Sequence, residues 1–217
     1  MGEKKDMKYL AIGDGLCAGK GTSLFTPSFV YQHARMSEEV LSERIPVMTR
    51  AHSSYRSNDI LELLDDENNI REIKESQIIV LSAGHNDFLD AFERDENEKD
   101  EDFYQAYRKS KSNLDDIINK ICKVKKKEND KYMLVIIGPH NSFEHHEQAE
   151  KWINKYNNYI QCRAHSPCVY SVNLDHHFKD QIETWCTRDR HYPNYLGHVE
   201  IAKKLHEYGY EHLKREA

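Results

Sequence analysis

The chain reads as an α/β fold in which a five-stranded parallel sheet lies between two layers of helices. Five short apolar runs alternate with longer segments of helical periodicity. The runs are apolar without interruption rather than at every second residue, which is the pattern of strands covered on both faces. Right-handed βαβ crossovers then stack the helices on both sides of the sheet and give a three-layer α/β/α sandwich. At 217 residues the chain is long enough for one well-buried domain and short for two, so a single domain over residues 1–217 is expected.

The strands, in order, are Met7–Ile12, Ile45–Thr49, Gln77–Ala83, Tyr132–Ile137 and Val169–Leu174. Behind the first, Thr26-Pro27 has the form of an N-cap followed by proline at the first helical position. Phe29, His33, Met36 and Val40 then share one helix face. Phe103, Tyr107, Leu114, Ile117, Ile118 and Ile121 form the apolar stripe of a later helix, and Ala149, Trp152, Ile153, Tyr156 and Ile160 that of the next. Such stripes are core rather than binding surface. Lys123 to Lys127 reads as a solvated connection between helix and strand. Asp90 to Asp102, with eight acids and two basic residues, reads as an exposed loop or frayed helix start overhanging the carboxyl ends of the strands.

Composition narrows the function classes. With 31 Lys and Arg against 37 Asp and Glu the chain is mildly acidic, which argues against nucleic acid or an anionic membrane as the main partner. No stretch approaches the ~20 apolar residues of a membrane span. Met1 to Asp6 is charged and lacks a signal-peptide core, so a cytoplasmic location is expected. Five cysteines without framework spacing fit buried thiols in a reducing compartment.

Three fragments carry the chemistry. Ala11-Ile12-Gly13-Asp14-Gly15-Leu16-Cys17-Ala18-Gly19 follows the first strand and has the form of a nucleophile turn without its nucleophile. Gly84-His85-Asn86-Asp87 follows the third strand, and Asp189-Arg190-His191-Tyr192-Pro193-Asn194 precedes the last helix. Together they resemble the SGNH, or GDSL-type, lipases and esterases along the whole chain. The resemblance implies a flavodoxin-like sandwich with a serine after the Gly-Asp pair and a histidine three residues after the last-block aspartate. Here Gly15 occupies the nucleophile position. Counting three residues on from Asp189 and five back from Gly197 both place Tyr192 at the base position. For the oxyanion the family uses a backbone amide at the nucleophile, a glycine amide in a second block and the third-block asparagine. Asn86 and Gly84 are present. The second block resembles Ser54-Tyr55-Arg56-Ser57-Asn58-Asp59-Ile60-Leu61, with Ser54 where glycine is expected.

Losing one member of a catalytic unit costs several orders of magnitude in rate. The resemblance therefore implies a hydrolase-like protein impaired in acyl transfer. Such a protein would keep its cleft for a small ester, an acyl or acetylated ligand, or a protein partner, with no cofactor, and Tyr192 over Gly15 would fill the acyl space. The alternative is an active esterase on small esters. It would use Cys17, with its thiol pKa lowered near a helix N-terminus, or His191 acting on a water oriented by Asp14 and Asn86. A zinc ion is a further alternative, since His140, His145 and His146 lie near one strand end and Asp175, His176 and His177 near another. Adjacent histidines diverge, however, and neither set has the i, i+4 spacing of two ligands on one helix face, so no metal is expected. Asp14 and Asp87 are expected to hold loops through backbone amides. Tyr192 should hydrogen-bond Asp189 or Asp14, and Asp189 should pair with Tyr192, Arg188 or Arg190.

Overall fold

The computed structural model describes residues 6–94, 100–128, 131–143, 146–164 and 167–214. The elements run β1 (Tyr9–Gly13), α1 (Phe29–Leu41), β2 (Val47–Ala51), α2 (Ser57–Leu63), α3 (Glu67–Glu75), β3 (Ile78–Ser82) and α4 (His85–Arg94). They continue with α5 (Asp100–Glu128), β4 (Met133–Gly138), α6 (Glu147–Arg163), β5 (Val169–Asn173), α7 (Leu174–Phe178), α8 (Ile182–Trp185) and α9 (Tyr195–His206). All five strands are parallel in the order β2-β1-β3-β4-β5. Each overlaps one of the apolar runs, and the expected fold class is the one observed.

Continuous apolarity follows from the helices on both sides. Leu10, Ile12, Ile79, Leu81, Leu134 and Ile136 point into a core closed by α2 to α6. Their neighbours Tyr9, Ala11, Ile78, Val80, Met133 and Val135 point into a second core under α1, α7 and α9. Every residue of β1, β3 and β4 is buried. Each large aliphatic side chain so buried contributes roughly 1.5–3 kcal/mol.

Three local expectations are corrected. The N-cap position of helix α1 is Ser28, whose side chain makes no capping hydrogen bond, rather than Thr26, and Pro27 stands outside the helix. The Thr26 hydroxyl instead accepts the Ser23 amide (2.8 Å), closing the preceding turn. The buried face of α1 comprises Phe29, Val30, His33, Ala34 and Ser37, and leaves Val40 exposed. Lys123 to Lys127 belongs to the last turns of α5 rather than to a connection. Lys125 is 1% exposed, and its ammonium donates to the carbonyls of Lys74 (3.1 Å) and Ser76 (2.7 Å), where α3 ends with unpaired acceptors. In the acidic segment, residues 90–94 complete α4 and 100–102 begin α5, while 95–99 lie outside the described residues. Among the described residues no helix is long and apolar enough to cross a membrane.

Candidate functional site

In an open sheet of this order, ligands bind beyond the carboxyl ends of the strands where the winding reverses, here at β1 and β3. These neighbouring strands end at Gly13 and Ser82, which are in register. Asp14 follows immediately and is buried. Its Oδ1 accepts the Ser82 hydroxyl (2.7 Å) and the Leu16 amide (3.1 Å), and its own amide donates to the Ser82 carbonyl (3.3 Å). Burial raises the carboxyl pKa, opposed by the Ser82 hydroxyl and the Leu16 and His85 amides. Asp14 thus ties the turn after β1 to the end of β3.

Beyond β3, Gly84 takes φ +102°, and a Cβ there would lie 2.7 Å from the Tyr156 ring, so only glycine fits. The turn delivers Asn86 with every side-chain group engaged. Its Nδ2 donates to the carbonyls of Ser53 (3.0 Å) and Tyr55 (2.8 Å), and its Oδ1 accepts the Tyr192 hydroxyl (2.7 Å). Two carbonyl acceptors fix which end of the amide is nitrogen. Asp87 accepts both the amide (2.8 Å) and the hydroxyl (2.9 Å) of Ser57, which anchors the start of α2. Ser54 is exposed, with its hydroxyl on His52 Nδ1 (2.9 Å).

The last block is held in register by Asn194. Its Oδ1 caps α9 at the Gly197 amide (3.2 Å), and its Nδ2 donates to the carbonyls of Thr184 (2.9 Å) and Cys186 (2.8 Å). A bridge between Cys186 and Pro193 and the left-handed Arg190 (φ 62°) complete a tight loop. That loop turns Tyr192, not His191, onto the β1 turn. A Cβ placed on Gly15 would lie 2.6 Å from Tyr192 Cε1 and 3.2 Å from both Cζ and Oη. Tyr192 is 3% exposed, with the edge of His85 against it (centroids 4.9 Å) and the Lys20 ammonium 4.1 Å from its centroid. Burial, then the charges of Asp14 and Asp189, raises its hydroxyl pKa.

Tyr192 thus donates its hydroxyl to Asn86 Oδ1 and not, as expected, to Asp189 or Asp14. Asp189 takes neither the tyrosine nor an arginine. It accepts the Thr187 hydroxyl (2.5 Å), which lowers its pKa, and the His191 amide (3.1 Å), while Arg190 pairs with Glu183. Cys17 is buried in the core beneath α1, with burial pushing its thiol up to about 12 and the Asp14 charge adding to the rise. The expected lowered thiol pKa is thereby reversed. His191 lies against Phe143 (centroids 6.2 Å), and its Nδ1 is buried without a hydrogen-bond partner.

His191 and Tyr192 share with Asp14, Ser82, His85 and His140 the wall of a cavity of about 10 Å³, room for about one water. His85 and His140 stack at 5.5 Å, and burial drives both pKa values down, His140 to about 4. His140 Nε2 lies 2.9 Å from the Arg190 carbonyl. Sequence reasoning weighed His140 only as a metal ligand and passed over His85. The signal was their position just past β3 and β4. Among the described residues no three His, Cys, Asp or Glu side chains gather as metal ligands. His146 instead caps α6 at the Ala149 amide (3.2 Å) and Asp175 accepts the Asn141 amide (2.8 Å), while His145 lies outside the described residues.

The model of the GDSL-like lipase/acylhydrolase family matches residues 11–199. The spore germination lipase LipC of Bacillus licheniformis is 29% identical over 209 residues, covering 96% of this chain and 99% of that one. Among solved structures, the lipase Lip_vut3 from a goat rumen metagenome aligns with a TM-score of 0.90 at 27% identity, over 96% of this chain and 100% of that one. The acetylxylan esterase Axe2 of Geobacillus stearothermophilus aligns with a TM-score of 0.71 at 16% identity, over 98% and 100% of the two chains, a likeness of fold alone.

Proposed function

Since the chain belongs to the GDSL-like lipase/acylhydrolase family, we propose that it is a member whose centre does not transfer acyl groups and whose cleft is filled by its own Tyr192. Ester hydrolysis of the serine type needs a hydroxyl nucleophile, an imidazole to take its proton and donors aimed at the oxyanion. Gly15 supplies no hydroxyl. Tyr192, with its pKa raised, is a neutral phenol at physiological pH and an acid rather than a base. The Asn86 amide, which would face the oxyanion, is committed to two backbone carbonyls.

The observation that carries the reading is the Tyr192 ring, 2.6 Å from where a side chain at position 15 would begin. A small ester, acyl or acetylated ligand would enter only by displacing that ring. In a second reading the protein is a slow esterase in which His191 acts on water. The buried, unpartnered Nδ1 on the cavity wall favours it. Cys17 as nucleophile is disfavoured by its burial and raised pKa.

Hydrolysis of p-nitrophenyl acetate separates the two readings. The wild type is expected to stay at the rate of a denatured control and to be unaffected by His191→Ala. The Gly15→Ser/Tyr192→His double variant is expected to exceed it by about 100-fold or more, a fraction of what a complete triad contributes. Wild-type turnover that disappears in His191→Ala would overturn the proposal in favour of the second reading.

A further inference from the structure

Between β1 and α1, Leu24 and Phe25 are the two central residues of a turn, and both are bare. Leu24 is fully exposed and Phe25 is 95% exposed. The turn closes through its own ends. The Ser23 amide donates to the Thr26 hydroxyl (2.8 Å), the Thr26 amide to the Ser23 carbonyl (3.1 Å) and the Phe25 amide to the Ser23 hydroxyl (3.3 Å). Those bonds ask nothing of the side chains at positions 24 and 25, where turns ordinarily carry polar residues, glycine or proline. The loop is pinned beside the start of α9. His198 Nδ1 accepts the Phe29 amide (3.2 Å) and its Nε2 lies 3.1 Å from the Lys20 carbonyl, so one ring clasps both ends of the loop. Gly21, at φ +94°, packs where a Cβ would meet the Pro193 carbonyl oxygen at 2.0 Å. Tyr195 and Leu196 open α9, Tyr31 lies in the first turn of α1, and all three are about half exposed. Five of the seven exposed large apolar side chains among the described residues therefore gather round this loop, with Val40 and Phe92 outside it.

Charge and area select the occupant. The chain carries one acid in about every six residues, yet none falls between Gly15 and Ser37 or between Arg190 and Val199, the two stretches that build the patch. Basic side chains are few there as well, with Lys20 over the Tyr192 ring, Arg35 beside Glu39 and Arg190 on Glu183. A lipid surface is drawn by a cluster of basic residues, which this patch lacks. On a molecule of net charge −6 it is instead a face where two copies meet without opposing carboxylates. The five side chains expose on the order of 600 Å². With a polar rim this approaches the ~800 Å² that each partner contributes to a stable interface. We infer that this patch is the contact between two copies of the chain, paired about a two-fold axis. Such an axis makes the face self-complementary: the Leu24–Phe25 turn of one copy lies against the partner's Tyr31, Tyr195 and Leu196, and the reverse. The bonds that close the turn hold it ready, so little freedom is lost on pairing. The inference does not rest on whether the Tyr192 centre turns over esters.

The test is sedimentation equilibrium of the full chain over a range of concentrations. Wild type is expected at twice the monomer mass by about 100 µM. Leu24→Asp/Phe25→Asp alters side chains that are solvated in the monomer, and Leu196→Asp alters the other half of the patch. Each should weaken pairing about 100-fold or more while the circular dichroism of the dilute protein stays that of wild type. Val40→Asp, nine residues from Tyr31 and so on the far face of α1, should pair as wild type does. The inference is overturned if wild type stays monomeric at that concentration, if the patch variants pair unchanged, if Val40→Asp dissociates the pair as fully, or if assembly continues past the dimer. A monomeric wild type that co-sediments with phosphatidylglycerol vesicles, and loses them in Leu24→Asp/Phe25→Asp, would give the patch to a lipid surface instead.

Discussion

Gly15 and Tyr192 are complementary in volume: the space that a side chain at position 15 would take is ring. A methyl group at Gly15 would begin 2.6 Å from Tyr192 Cε1, well inside van der Waals contact. Gly15→Ala should therefore destabilise the protein by about 1–3 kcal/mol, the usual range for overpacking a buried site. In a Tyr192→Ala background the same substitution should cost close to nothing, because the clash partner is gone. Urea unfolding of the four proteins in this cycle isolates the coupling between the two sites. Equal costs in both backgrounds would mean that the ring moves aside freely and that the centre is open in solution. Asn86 illustrates what the sequence conceals at this scale. Its presence was plain, yet its engagement by Ser53, Tyr55 and Tyr192 depends on loops brought together from distant parts of the chain.

At the scale of elements, the strands were legible because burial on both faces writes itself as unbroken apolarity, and the last-block register was legible because Asn194 caps α9 at Gly197. The basic run at the end of α5 was not, since charge alone does not reveal that an ammonium meets the open carbonyls of a neighbouring helix. Thr26 misled for a related reason, its hydroxyl having a nearer amide in Ser23 than in α1. Lys125 supplies a test. Lys125→Met retains the apolar stem but strips the Lys74 and Ser76 carbonyls of their donor, and should cost about 1–3 kcal/mol. The exposed neighbour Lys126→Met should stay within about 0.5 kcal/mol of wild type. Thermal unfolding of the two variants side by side checks this, and equal stabilities would show that the buried ammonium is no cap.

For the molecule as a whole, buried histidines set the response to acid. His33, held between the hydroxyls of Tyr9 (3.0 Å) and Tyr210 (2.8 Å), is pushed down by burial to about 3. His140 and His198 are pushed down to about 4, and His85 well below its ordinary value. Between about pH 6.5 and 4 the unfolded chain protonates these groups while the folded one does not, so the unfolded state binds more protons. Their contribution to stability is complete above about pH 6.5 and is lost as pH falls below it. Burial also lowers His177 and His212, and it raises Asp14, Asp87 and Asp175, which act in the opposite direction, three groups against six. The urea midpoint should fall steadily from pH 7 to pH 5, and a flat profile would show that the histidines protonate within the folded protein. The fit of Tyr192 over Gly15 also governs which mutational paths are open to a lineage carrying this centre. Serine arriving first at position 15 meets the ring, while histidine arriving first at position 192 finds no hydroxyl to activate and leaves Asn86 Oδ1 without its donor. Neither single step by itself completes a serine–histidine pair, so the two positions would have to change together.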